Sequence, residues 1–466
     1  MPTDRDAARL RSAWEAFLVE ALDWERTVRE WRVSPRAAPD ELRVHLYSRF
    51  DLNRGQPLDL LFERVREELR AALTHVTHPR YFGLFNPSVR PAGVLADALA
   101  SLYNAQLAAW SHGAAALELE RLALETLGRG IGFDGSCHST FTSGGNEANF
   151  SALQCALAQR FPEWSAGGAR MLPALRLYVS DQGHHSILKA ARMSGLGDGA
   201  VTTLPCDATL RFDLEALRAA LATDRVAGVV PLMVVGTAGT TGAGAVDPLA
   251  ALGGIARGVG AWFHVDAAWG GAASLSRRLR PALEGIASAD SVTWDAHKWL
   301  SVPIGAGMFF CKHPQAAAQA FATTTGYMPQ AAVATEPYAV TAQWTRRALG
   351  LKVVMALGEL GVEGYAQLIE HQAAMGEQLR AKLRAAGWTL TNDTPLPLVC
   401  FTNAALRAGA PDAVTVASRV QERGQCWISS LPLRGETVLR ACITSYQTTP
   451  ADLDALVAEL AACSAA

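Results

Sequence analysis

"SVTWDAHKWLSVPIGAGMFF", residues 291–310, sets Lys298 among His297, Trp299 and Leu300, where an ammonium is out of place. Its first five residues read as a strand and "GAGMFF" as a return strand, with the lysine in the connection. An unpaired ammonium in apolar surroundings is costly unless it is neutralised or used covalently. Upstream, the β-branched or apolar runs "LRLYVS", "VAGVVPLMVVG" and "AWFHVDAA" alternate with helix-like stretches such as "AGVLADALASLYNAQLAAW" and "NEANFSALQCALAQRF". That alternation predicts an α/β fold, a mostly parallel central sheet covered on both faces. Sites in such sheets gather at the carboxyl ends of the strands.

Outside this region the pattern changes. "SAWEAFLVEALDWERTVREW" and "PLDLLFERVREELRAALTHV" carry apolar residues at helical spacing, which predicts a helical arm over residues 1–75 that packs on another lobe or a second subunit. The large domain is expected over 76–348. From 349 to 466, a long helix broken at glycines, the apolar segments "LPLVCFTN", "CWISSLPL" and "TVLRACITSY", and a terminal helix predict a small α+β domain.

Composition narrows the partners. The 466 residues are 50% hydrophobic and 18% charged, with a net charge of −2, and no block of like charge suggests nucleic acid or a membrane surface. No apolar run reaches the length of a membrane span and the start is charged, so a cytoplasmic location is expected. The eight cysteines show no C-x-x-C pair or zinc spacing, and no H-E-x-x-H occurs; reduced, mostly buried thiols and no metal are expected.

Four clusters fall in loops after strands. "FTSGGNEANF" puts Gly144, Gly145 and Asn146 at a helix start, where exposed amides seat a phosphate, although a plain cap looks the same. "SDQGHHSILKA" brings His184, a stacking ring, proton carrier or surface residue. "FHVDAAWGG" ends a strand on Asp266, a carboxylate that must find a cation or donors. Lys298 completes the set. Pyridoxal phosphate (PLP) needs a lysine for its aldehyde, a carboxylate for its pyridine nitrogen, donors for its phosphate and a partner for its ring. Each need has a residue here.

The succession "HPRYFGLF", "TSGGNEAN", "SDQGHHS", "TAGTTGAGAVD", "HVDAAWGG", "DAHKWL" and "LRACIT" resembles the PLP-dependent amino-acid decarboxylases of the aromatic-amino-acid and glutamate decarboxylase group. The resemblance implies PLP-dependent transferase fold type I, aspartate aminotransferase-like, and a homodimer with shared active sites. It also implies that Lys298 is the Schiff-base lysine, Asp266 the pyridinium partner and His184 the stacked imidazole. Thr240 is similar to a hydroxyl at the cofactor edge and Ala268 to the small residue on the other ring face. Gly145, Asn146 and His297 match the phosphate site, with Asn146 and Asp295 departing from the hydroxyl residue and the asparagine often found there. Tyr327 in "TTTGYMPQ" is similar to the loop tyrosine that protonates Cα. Arg346, Arg347 and Arg440 match family arginines and read as structural ion-pair formers.

Leu84, Phe85, Asn86 and Gln106 fall in segments that resemble the substrate pocket. They are neither plainly aromatic nor built for a second carboxylate. An aromatic or largely apolar L-amino acid is the expected substrate; an acidic one (glutamate, aspartate or cysteine sulfinate) is the alternative. Other rivals are an aldehyde synthase, another biosynthetic PLP enzyme and a non-catalytic scaffold subunit.

Overall fold

The computed structural model describes residues 4–35, 38–323, 326, 328 and 336–465. Seven strands form the larger sheet: β1 (His138–Thr142), β2 (Leu175–Ser180), β3 (Val201–Leu204), β4 (Val230–Thr237), β5 (Trp262–Asp266), β6 (Ser291–Asp295) and β7 (Gly307–Cys311). Their order is β1-β7-β6-β5-β4-β2-β3, and only β7 runs against its neighbours. Every residue of β5, β6 and β7 is buried, so these strands read as apolar runs without alternation.

This order puts the ends of β1, β2, β4, β5 and β6 along one edge. Thr142, Ser180, Thr237, Asp266 and Asp295 are the last residues of those strands, and each loop singled out in the sequence leaves the sheet there. β7 starts at the same edge, with Gly307 opposite both Thr142 and Asp295. A Cβ on Gly307 would lie 2.5 Å from Gly144 Cα, so only glycine lets the loop after β1 close over β7.

The arm comprises α1 (Asp4–Thr27), α2 (Pro39–Arg49) and α3 (Leu58–Ala72), and α1 packs on α3. Its end is tied to the small lobe: Val33 N–H donates to Gly424 O at 2.8 Å, and Arg29 and Arg80 both reach the buried Asp452 carboxylate, at 3.2 and 3.1 Å. Trp14, Leu22, Tyr47 and Leu52 remain exposed on it. The smaller sheet is antiparallel, β10-β11-β9-β8, built from β8 (Thr389–Leu390), β9 (Leu398–Thr402), β10 (Ser429–Leu433) and β11 (Glu436–Cys442). The helix over Leu351–Ala385 precedes it and breaks at Gly361, where φ is 65°.

That helix packs on α4 (Pro91–Tyr103) and α5 (Trp110–Ile131). Beside them, Glu120 accepts from Arg346 Nη1 at 2.7 Å and from Gly350 N at 2.8 Å, with both side chains buried. Arg346 is therefore the structural ion-pair former read from sequence. Glu120→Ala leaves a buried guanidinium unpaired and is expected to cost about 3–5 kcal/mol, read from a chemical-denaturation midpoint. Unchanged stability would show that water replaces the carboxylate.

Two fully buried histidines make stability depend on pH. Burial pushes His78 and His264 from 6.5 down to about 4. Below 6.5 the unfolded chain binds two protons that the native chain refuses until about 4. Stability is therefore lost as pH falls through that window, by about 3 kcal/mol per pH unit from this pair. Urea titrations at pH 7, 6 and 5 test the sign, and a flat profile would contradict it.

Candidate active site

The helix α6 (Gly145–Arg160) begins directly after Gly144, so its first amides face out of the helix with no intrahelical acceptor. Ser143 is occupied elsewhere: its N–H and Oγ donate to Glu147 Oε2 at 2.8 and 2.6 Å. A Cβ on Gly145 would meet Asp295 Oδ2 at 3.0 Å and Ala268 Cβ at 3.4 Å, and one on Gly144 would meet His297 at 3.5 Å. The loop is thus a cradle of small residues at a helix start, bordered by an imidazole and a carboxylate.

Lys298 projects beside this cradle from the connection between β6 and β7. Its Nζ lies 3.0 Å from Asp295 Oδ2 and 5.7 Å from the centre of the Phe85 ring. The half-buried ammonium has its partner: Asp295, the departure noted in sequence, faces Lys298 itself. Asp295 Oδ1 is buried without a hydrogen-bond partner among the described residues. His297 accepts Ala306 N–H at Nδ1, 3.2 Å away, and burial holds its imidazole below the ordinary range.

Asp266, at the end of β5, accepts from Asn149 Nδ2 at 2.8 Å and from Ala268 N at 3.1 Å. Two donors fix the orientation of this buried carboxylate. His184, after β2, accepts at Nδ1 from the Ser186 N–H at 3.2 Å and lies 2.8 Å from Ser186 Oγ. Burial lowers its pKa, while the Asp266 charge opposes the shift and the Lys298 charge adds to it. Hydrogen bonds through Ser186 and Asn149 join His184 to Asp266, and the Lys298–Asp295 pair meets the same site where Gly145 lies between Asp295 and Ala268. Thr240 Oγ1, after β4, accepts from Ala245 N at 3.1 Å and is buried.

The far side is aromatic. Phe85 stacks on Trp269 at 4.4 Å, and Trp269 on Trp299 at 5.1 Å. Of the four pocket residues read from sequence, Phe85 reaches Lys298. Leu84 is exposed and Gln106 Oε1 accepts from Ala108 N at 3.2 Å; no described contact joins Leu84, Asn86 or Gln106 to the lysine. Tyr327 lies outside the described residues.

Arg440 departs from the ion-pair role expected of it. It makes no ion pair among the described residues; its Nε donates to Thr241 O at 3.0 Å and its Nη1 to Gly83 O at 2.6 Å. Its Cζ lies 5.2 Å from the Phe85 ring centre, and its buried Nη2 has no partner among the described residues. Asn149, Ser186, His264, Trp269 and Arg440 were missed as site residues. Asn149 is one helical turn beyond Gly145, and His264 is two residues before Asp266, which puts each on the same face as a residue already singled out.

Residues 44–404 match the pyridoxal-dependent decarboxylase conserved domain. The chain belongs to this family. It is 29% identical over 431 residues to an aromatic-L-amino-acid decarboxylase of Bacillus atrophaeus, covering 90% of this chain and 88% of the relative. It is 27% identical over 434 residues to a 4-hydroxyphenylacetaldehyde synthase of Rhodiola rosea, covering 91% and 88%. The Oryza sativa TDC structure with PLP and tryptamine matches with a TM-score of 0.91 at 25% identity, covering 99% of each chain. This PLP-dependent decarboxylase therefore has the fold type I architecture of its family, and its cofactor is PLP. The glycine cradle, the amine of Lys298 beside it and the doubly hydrogen-bonded Asp266 fit that group. Asp295 is the one poor fit, an anion beside the cradle.

Proposed function

We propose that this decarboxylase converts an aromatic or largely apolar L-amino acid to its amine and carbon dioxide. In this reading Lys298, Asp266, His184 and Tyr327 are catalytic, and Gly145, Asn146, Thr240, Ala268 and His297 complete the PLP site. The observation that carries the side-chain class is the Phe85 ring beside the lysine, backed by Trp269 and, behind it, Trp299.

PLP supplies the electron sink for the bond broken at Cα. Asp266, oriented by Asn149 and Ala268, would keep a proton on the ring nitrogen. His184 offers a neutral ring to stack, since burial holds it below its ordinary range. Phe85, itself buried, sets an apolar ring beside Lys298, and a carboxylate poorly solvated against that ring would be released more readily as neutral carbon dioxide. The role of Tyr327, returning a proton to Cα, rests on its sequence position. Tyr327→Phe should shift product from amine toward aldehyde; an unchanged product ratio would speak against that role.

Arg440 supports a second reading. A buried guanidinium nitrogen without a partner among the described residues, beside Phe85, is chemistry suited to an acidic substrate side chain. Mass spectrometry of products from the PLP-loaded protein given an equimolar mixture of L-amino acids separates the two. Amine from an aromatic or apolar amino acid supports the first reading; amine from glutamate, aspartate or a sulfinate supports the second and overturns the first.

We further propose a homodimer, supported by the exposed Trp14, Leu18 and Leu22 on α1 and Leu102 and Tyr103 on α4. An active monomer in sedimentation would contradict it. The same reading divides the chain into an arm (1–75), a PLP-binding domain (76–348) and a small domain (349–466). A stable truncated protein starting near residue 76 would count against the packed arm. Cytoplasmic residence is supported by eight cysteines that are all free, six of them buried, and cell fractionation would test it.

A further inference from the structure

Behind Asp266 and His184 runs a continuous chain of side-chain hydrogen bonds drawn from β5, β6, α6 and the start of the helix after β2 (Ser186–Met193). Trp262 Nε1 donates to Ser291 Oγ at 2.8 Å, and Ser291 Oγ lies 2.8 Å from His264 Nδ1. His264 Nε2 lies 2.9 Å from Asn149 Oδ1, which also accepts from Thr293 Oγ1 at 2.6 Å. Asn149 Nδ2 then donates to Asp266 Oδ2 and to Ser186 Oγ, each at 2.8 Å. Ser186 Oγ in turn lies 2.8 Å from His184 Nδ1.

A single arrangement of protons satisfies every link. An indole N–H only donates, so Ser291 Oγ accepts it; its own hydrogen goes to His264 Nδ1, because the Asn149 oxygen facing Nε2 takes the ring's N–H. His264 is fully buried and neutral, because burial pushes it down to about 4, so its remaining N–H is at Nε2 and goes to the Asn149 oxygen. Reversing that amide would set its oxygen against the Asp266 carboxylate. Both amide hydrogens therefore serve Asp266 and Ser186. His184 Nδ1 accepts the Ser186 N–H and so carries no hydrogen, which leaves Ser186 Oγ to turn its own hydrogen to the same lone pair.

We propose that Asn149 is a positioning residue that sets two groups at once. Its amide holds the Asp266 carboxylate in one orientation and, through Ser186, fixes His184 as the tautomer protonated on Nε2. The proposal rests on the PLP-site reading of Asp266 and His184. It makes the partner of the ring nitrogen and the stacked imidazole depend on one side chain.

Nitrogen-15 solid-state NMR of the PLP-loaded protein labelled at histidine tests it, with His184→Gln and His264→Gln spectra giving the assignments. Both rings should show a bare Nδ1 and a protonated Nε2. Ser186→Ala should leave the His264 signals in place and move those of His184 toward a mixture of tautomers. Asn149→Ser should perturb both rings and weaken PLP binding about tenfold to a hundredfold, read by fluorescence titration. Should Asn149→Ser not fold, the unsubstituted protein and Ser186→Ala decide. A His184 protonated on Nδ1, or Asn149→Ser with unchanged PLP affinity and unmoved His184 signals, overturns the proposal while leaving the PLP site standing. A chain that takes up no PLP overturns the site reading, and the proposal with it.

Discussion

Lys298→Ala is expected to lower turnover on the order of 10⁴-fold, because it removes the amine in the cleft rather than the structure around it. The backbone there is held by its own bonds: Lys298 N–H donates to Asp295 O at 3.2 Å, Ser301 N–H to Lys298 O at 3.3 Å, and Arg90 N–H to Ser301 O at 2.8 Å. The loop should therefore keep its course when the side chain is cut back. Alanine does leave the buried Asp295 carboxylate without its cation, so some loss of stability accompanies the loss of turnover. Lys298→Arg separates the two effects. It keeps a positive charge for Asp295, yet a guanidinium stays protonated and does not condense with an aldehyde, so this variant should fold better and remain inactive. Borohydride reduction followed by peptide mass spectrometry should put the PLP mass on residue 298 of the unsubstituted protein alone. Turnover within tenfold of normal in either variant would remove Lys298 from the chemistry.

Asp266→Asn comes next in size, with an expected fall in kcat on the order of 10³-fold. The substitution conserves shape but exchanges an anion for a neutral amide. Asn149 Nδ2 and Ala268 N–H now both donate to this group, leaving it to hold one further proton on the cofactor's ring nitrogen. An amide meets these demands poorly. Its oxygen serves fewer donors, and its own NH₂ has to face either the Asn149 NH₂ or the ring nitrogen. A weakened PLP affinity should accompany the kinetic loss, and Asp266→Ala should be worse on both counts. If Asp266→Asn bound PLP and turned over normally, the ring nitrogen would need no anion and the assignment would fail.

Lys298, Asp266, His184 and the glycine loop were legible because each follows a strand whose apolar run is visible in the chain, and parallel strands put their ends at one edge. Phe85 was found only as part of a segment. Its neighbours Leu84, Asn86 and Gln106 carried the same sequence signal without reaching the lysine, because a loop's side-chain directions are not periodic as those of strands and helices are. Arg440 was misread for a related reason. An arginine in an apolar strand ordinarily means a buried ion pair, and the carbonyls of Thr241 and Gly83 that it bonds belong to distant loops. Asp295 was seen as a departure, but its direction was open until Lys298 was found 3.0 Å away.

What the sequence by itself determined is local and periodic: alternating strands and helices, glycines where a helix start must be approached closely, and a carboxylate and an amine at strand ends. What only the tertiary structure decided is which of these meet. His264 faces Ser291 and Asp266 faces Thr293 because β5 and β6 pair in that register, and Asn149 joins them because α6 lies against that face of the sheet. The partners in this network stand as many as 144 residues apart. Hydrogen bonds and ring stacks act over a few ångströms, and strand order and register bring such distant residues within that range.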